Sequence, residues 1–186
     1  MDTQQLMREA QLLFVEGKEK ESIEVFTKAI EAGADPYIAH LSRGVAHVKI
    51  KEVDMALGDF SKAISANNKS ARAHFFRGMA YMMKEEFENA VSDFTQALEL
   101  KTDYAMAKFA RAVSYARMDK FDESSQDMMV VMPQMEENFQ SFADSYGIIR
   151  TEMWKVMSQI SGEEKMPTLG LSEKDITTLK KWLAQE

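Results

Sequence analysis

The chain has 186 residues, of which 45% are hydrophobic and 28% charged, a balance that suits one soluble domain with a continuous core. A net charge of −7 and the lack of a basic stripe argue against a nucleic-acid or anionic-membrane partner, and the absence of cysteine excludes disulfides, thiolate catalysis and cysteine zinc sites. The opening stretch MDTQQLMREAQLLF has no basic region followed by an apolar core and cleavage site. Nowhere do 18 uncharged apolar residues run together, so a cytoplasmic protein is expected.

From residue 1 to 133 the chain is organised by a spacing of 34 residues. The first unit, 3–36, matches loosely: Ser22, Phe26, Ala29 and Ile30 hold the places of Ala56, Phe60, Ala63 and Ile64, Gly17 marks a turn, and Pro36 is expected to end the unit. The second and third units, 37–70 and 71–104, match closely. Gly44 recurs as Gly78, Ala56 as Ala90, Asp59 as Asp93, Phe60 as Phe94 and Ala63 as Ala97. In the fourth unit, 105–133, Arg111, Ala112, Tyr115, Phe121 and Asp127 keep the pattern, but Ser124 and Val131 replace the alanines, so this unit is expected to pack differently. A fixed period of this length reads as stacked two-helix hairpins, each with an apolar face that its neighbour must bury.

Within that stack the small residues are expected to let helix backbones approach, while Phe60 and Phe94 fill the wedge between neighbours. Arg43, Arg77 and Arg111 recur in phase with Asp59, Asp93 and Asp127, a spacing that predicts pairing across each hairpin.

After Pro133 the period stops. Met135, Phe139, Phe142, Tyr146, Ile149, Met153, Val156 and Ile160 form one stripe at helical spacing, predicting a long helix within 134–160. Gly162, Pro167 and Gly170 mark 161–171 as a linker, and 172–186 reads as a short amphipathic helix with Ile176, Leu179, Trp182 and Leu183 on one side.

The order G-x-x-Y, A-x-x-x-F, A is carried by Gly78, Tyr81, Ala90, Phe94 and Ala97, and by Gly44, Ala56, Phe60 and Ala63 with His47 in the aromatic place. In this it resembles the tetratricopeptide repeat. His40 and His74 stand at the family's tryptophan position, and Arg43 and Arg77 at its leucine. The resemblance implies an all-α solenoid: a right-handed superhelical stack of antiparallel helix hairpins, closed by C-terminal capping helices. It implies binding of peptides or proteins on the concave face and does not imply an enzyme; with no phosphate loop, catalytic triad or carboxylate dyad in the sequence, neither enzymatic activity nor a cofactor is expected.

It also implies that the second, fifth, ninth, twelfth and thirteenth residues of each unit face the concave side. Those places hold Ile38, Leu41, Val45, Val48 and Lys49, then Arg72, Phe75, Met79, Met82 and Met83, then Met106, Phe109, Val113, Ala116 and Arg117, and the first unit adds Met7, Phe14 and Val15 beside Gln4 and Gln11. An apolar groove of this kind, with adaptable methionines, fits a scaffold, adaptor or chaperone-like module that takes a hydrophobic or amphipathic helix. The alternative reading is self-assembly, in which Ile176, Leu179, Trp182 and Leu183 fill the groove of their own chain or of a second copy, giving a homodimer or a filament. Family members that hold chaperone tails use a polar clamp, whose places here carry Met7, Gln11 and Ser42, so capture of an EEVD-like tail is not expected. His40, His47 and His74 read as hydrogen-bonded packing residues, and no metal or catalytic set is expected.

Overall fold

The computed structural model describes residues 2–131. The long helix, linker and short helix expected over 134–186 lie outside the described residues, as do residues 132 and 133 of the fourth unit. Helix α1 (Thr3–Val15) opens on Asp2, whose carboxylate accepts from the Gln5 backbone N–H at 2.7 Å while the Gln5 side chain accepts from the Asp2 N–H. This reciprocal cap satisfies two donors that the first turn would leave open. Helix α2 (Glu19–Glu31) has no side-chain cap but carries Glu19 and Glu21 in its first turn, where the helix dipole favours negative charge.

Helix α3 (Pro36–Lys49) corrects one expectation. Pro36 does not close the first unit; it opens the second, as the first helical residue behind Asp35, whose carboxylate accepts from the Ile38 N–H at 2.8 Å. A proline has no N–H to leave unsatisfied there, so this is its favoured helical place. Helices α4 (Val53–Ala66), α5 (Ala71–Met83), α6 (Phe87–Leu100) and α7 (Ala105–Arg117) follow, and α8 is helical from 121 to 131. Among the described residues there is no strand, and no helix is long and apolar enough to cross a membrane.

Every first helix of a hairpin ends the same way. Gly17, Lys51, Glu85 and Asp119, spaced 34 apart, all take a left-handed backbone, with φ between 58° and 76°. The next N–H then reaches the carbonyl five residues back, from Lys18 to Leu13, Glu52 to His47, Glu86 to Tyr81 and Lys120 to Tyr115. That turn satisfies the helix's last carbonyls and reverses the chain within three residues.

Helices α1 and α2, α3 and α4, and α5 and α6 pack as antiparallel pairs, and each second helix packs on the next first helix. The first helices α1, α3, α5 and α7 also touch their successors, whereas α2, α4 and α6 do not touch one another. The repeats therefore curve with the first helices on the inner side. Phe26, Phe60, Phe94 and Met128 occupy one place in the four units and are fully buried. Their rings, and not a close approach of two backbones, explain the glycines: a Cβ on Gly44 would lie 2.6 Å from the Phe60 ring, and one on Gly78 would lie 2.7 Å from the Phe94 ring. Phe60 also stacks on Phe76 of the next hairpin at 5.9 Å, which is the expected wedge.

Candidate functional site

Two sets of side chains recur through the repeats, one between the helices and one on the inner face. Between the helices, Arg43 donates from Nε and Nη2 to the two carboxylate oxygens of Asp59 at 2.8 and 2.7 Å. Arg77 grips Asp93 and Arg111 grips Asp127 in the same bidentate way. The pairing predicted from the phase of the sequence is thus present in three hairpins. Each arginine also spends its remaining nitrogen: Nη1 donates back to the preceding hairpin, to Thr27 at 2.8 Å, Ser61 at 3.3 Å and Thr95 at 3.0 Å. These hydroxyls repeat at 34 residues too, a signal that the sequence reading passed over.

His40 and His74 complete the arrangement, with Nδ1 at 2.9 Å from Asp59 and 3.2 Å from Asp93 respectively. His47 places Nδ1 2.8 Å from Glu52 across the turn, with Nε2 3.8 Å from the Asp59 carboxylate. Burial pushes the Asp59 carboxyl up, but the hydrogen bonds from Arg43 and His40 outweigh it and hold the group below the usual carboxylate value. Each arginine is raised in turn by its hydrogen bonds to its aspartate. A buried carboxylate and a guanidinium neutralised in this geometry have no capacity left for an anion. The network is structural, and among the described residues no three histidine, aspartate or glutamate side chains gather as metal ligands.

On the inner face, depth separates the residues expected to line the groove. Leu41, Phe75, Phe109 and Val113 are buried. Leu41 belongs to the core with Ala56, Phe60 and Ala73, and Phe75 touches Phe94 and Tyr104 with ring centroids 5.8 and 5.0 Å apart. Such side chains form a floor and do not present themselves for contact. Val45, Val48, Met79, Met82, Met83 and Met106 are half-buried, and Ile38 is 47% exposed. Ile176, Leu179, Trp182 and Leu183 lie outside the described residues. At the rim, Arg72 sits 5.5 Å over the Phe76 ring, and Arg117 lies 3.3 Å from Glu85 and 5.0 Å over Phe87.

Two family models, each for the tetratricopeptide repeat, match residues 7–71 and 71–104, together more than half of the chain. The chain belongs to the tetratricopeptide-repeat family. Among solved structures, this tetratricopeptide-repeat protein is similar to MamA from Desulfovibrio magneticus RS-1, beginning at residue 41 of that protein, with a TM-score of 0.68 and 21% identity over 74% of this chain and 77% of that one. It is similar to the first repeat domain of Spaghetti (RPAP3) bound to the HSP90 peptide SRMEEVD, with a TM-score of 0.60 and 25% identity over 63% and 94%. A third is YrrB, described as having an unusual peptide-binding site, with a TM-score of 0.64 and 20% identity over 73% and 70%. At their identities MamA and YrrB establish the fold alone. No curated protein matches the chain in sequence. The family is a protein-interaction scaffold fold, and no catalytic constellation stands among the described residues.

Proposed function

We propose that this tetratricopeptide-repeat protein is an interaction module that seats a hydrophobic or amphipathic helical segment on the inner face of its repeats. The observation that carries the reading is the row of half-buried aliphatic and thioether side chains on α3 and α5, Val45, Val48, Met79, Met82 and Met83, flanked by the exposed Ile38. Half-buried apolar groups lose water on contact with a partner at little ordering cost to themselves, and unbranched methionines re-shape to the partner's surface. The RPAP3 domain holds an HSP90 peptide. Here Met7, Gln11 and Ser42 supply no cationic clamp for such a tail, so the partner is held by apolar anchors instead.

Selection of binders from a displayed library of random 16-residue peptides, with the full chain as bait, tests the proposal. Clones with apolar residues at i, i+3 and i+7 are expected, and replacing Met79 and Met83 together by glutamate should abolish their binding at unchanged helicity. If that double variant loses helicity, the exposed site decides: Ile38→Glu, which leaves the core intact, should still weaken the clones about tenfold. Clones indifferent to both variants would place the partner surface elsewhere. The mass of the full chain in solution separates binding of a foreign segment from self-assembly.

A further inference from the structure

Charge is divided between the inner and outer helices. Helices α3, α5 and α7 contain lysines and arginines but no aspartate or glutamate. Helix α2 carries Glu19, Glu21, Glu24 and Glu31, and Asp54 and Asp59 on α4 are followed by Glu88, Asp93 and Glu99 on α6. In a chain of net charge −7, the inner face of the described residues from the second hairpin onward is thus built on helices without carboxylates.

Part of that positive charge is already spent. Arg43, Arg77 and Arg111 are neutralised by their aspartates, and Arg117 lies beside Glu85. Lys49 and Arg72 are both exposed, and among the described residues neither has a carboxylate partner. Lys49 is the last residue of α3, and Arg72 lies in the first turn of α5. Because α3 and α5 run in the same direction, the two cations stand at opposite ends of the apolar row, about 16 Å apart along the helix axes.

We propose that the segment seated on this face is an acidic amphipathic helix from another protein, with apolar anchors in the middle and carboxylates about three turns apart that meet Arg72 at one end and Lys49 at the other. The proposal rests on the reading of the inner face as a protein-binding groove. A basic-flanked helix would face like charge at both ends, while carboxylate flanks gain attraction, faster association and a fixed register. The chain's own short segment also has acids on both sides of its anchors, Glu173 and Asp175 before and Glu186 after, but Lys174, Lys180 and Lys181 cancel that charge and two of these lysines stand among the anchors, so a foreign helix without them is the better complement.

The same peptide selection, run in parallel on the full chain and on the double variant Lys49→Glu/Arg72→Glu, tests this. Both positions are exposed, so the fold is retained. Clones from the natural chain should be enriched in aspartate and glutamate on both sides of their apolar anchors. They should lose about tenfold in affinity for the variant at low salt, and the loss should shrink at high salt. Clones with no acidic excess, or clones that bind both proteins equally, would overturn the charge assignment and leave the apolar groove standing. Clones resembling 135–160 or 172–186 would give the groove to the chain's own segments and overturn a foreign occupant. A failure to select any clone would overturn the groove itself, and this proposal with it.

Discussion

The first hairpin and the second place the same kinds of residue at the same positions, but they differ where a hairpin meets the one before it. In the second, Ala39 and Ala46 are fully buried and Arg43 reaches back to Thr27. In the first, Gln5, Leu12 and Glu9 take those three places, and Leu12 is 63% and nearby Val15 83% exposed. A leucine thus stands where every later unit has a fully buried alanine or serine, and a glutamate stands where the later arginines donate to a hydroxyl. Between the helices, Val25 stands in the place of Asp59, so the first hairpin also lacks the internal ion pair. Packing of small residues is thus sufficient to form a hairpin. The arginine network is an addition that ties each hairpin to the one before.

Removing that addition should have the largest effect. Asp59→Ala leaves the Arg43 guanidinium in a site where only 14% of its side chain is exposed, and the expected cost is about 3 to 5 kcal/mol in urea unfolding. The first hairpin shows the remedy, an apolar residue in place of the acid with no arginine opposite. Asp59→Val combined with Arg43→Met should recover most of the loss, and a double variant no better than the single one would show that the second hairpin depends on the pair for its fold.

The same carboxylate predicts a dependence on pH. Its folded value is depressed, so it binds its proton less readily in the folded protein than in the unfolded chain. Its stabilising contribution is complete above the unfolded value near pH 4 and is lost as the pH falls through the lower, folded one. Asp59→Asn should therefore flatten the acid limb of stability against pH relative to the natural protein. Parallel acid limbs would show that other carboxylates govern acid unfolding.

A smaller effect separates two helical glycines by their surroundings. Gly78→Ala drives a Cβ to 2.7 Å from the Phe94 ring, which is fully buried and held by Phe75, and should destabilise by about 1 to 3 kcal/mol through overpacking. Gly58→Ala meets nothing within 4 Å and should stabilise by about 0.5 to 1 kcal/mol by helix propensity alone. Thermal unfolding of the two variants reads both signs. Ala10, which stands in the glycine place of the first hairpin, shows that the position tolerates a methyl once the facing helix has adjusted.

The repeat was legible because its signals are residue types that few other places tolerate: the glycines under Phe60 and Phe94, the alanines between hairpins, and the arginines in phase with aspartates. The third partner of each arginine was available at the same spacing but is written as threonine or serine, residues too common on helices to stand out. Pro36 was misplaced by one unit because proline both ends and begins helices, and only the cap from Asp35 decides which. On the inner face, the period assigned Leu41 and Phe75 the same orientation as Val45 and Met79. Depth depends on how closely neighbouring helices approach, which a single-chain pattern does not encode. The left-handed turns were visible at Gly17 alone, since lysine, glutamate and aspartate give no sign of a positive φ.

Those turns offer the mildest contrast between the hairpins. Gly17 adopts φ 76° without steric cost, whereas Lys51 holds φ 63° with a side chain whose Cβ crowds the backbone. Lys51 makes no ion pair among the described residues and is exposed, so Lys51→Gly changes little beyond the backbone. Relief of the strain favours the variant, while the greater freedom of glycine in the unfolded chain opposes it, and the balance should be a gain of up to about 1 kcal/mol. Gly17→Ala should lose about as much, with nothing within 4 Å of its new Cβ to blame except the backbone. Equal and opposite shifts in urea midpoint would establish that the two hairpins share one turn and differ only in the residue that makes it. A loss on Lys51→Gly would mean that the bonds from Lys51 to Val48 and from Glu52 to His47 lock this turn firmly enough that side-chain strain is already relaxed there.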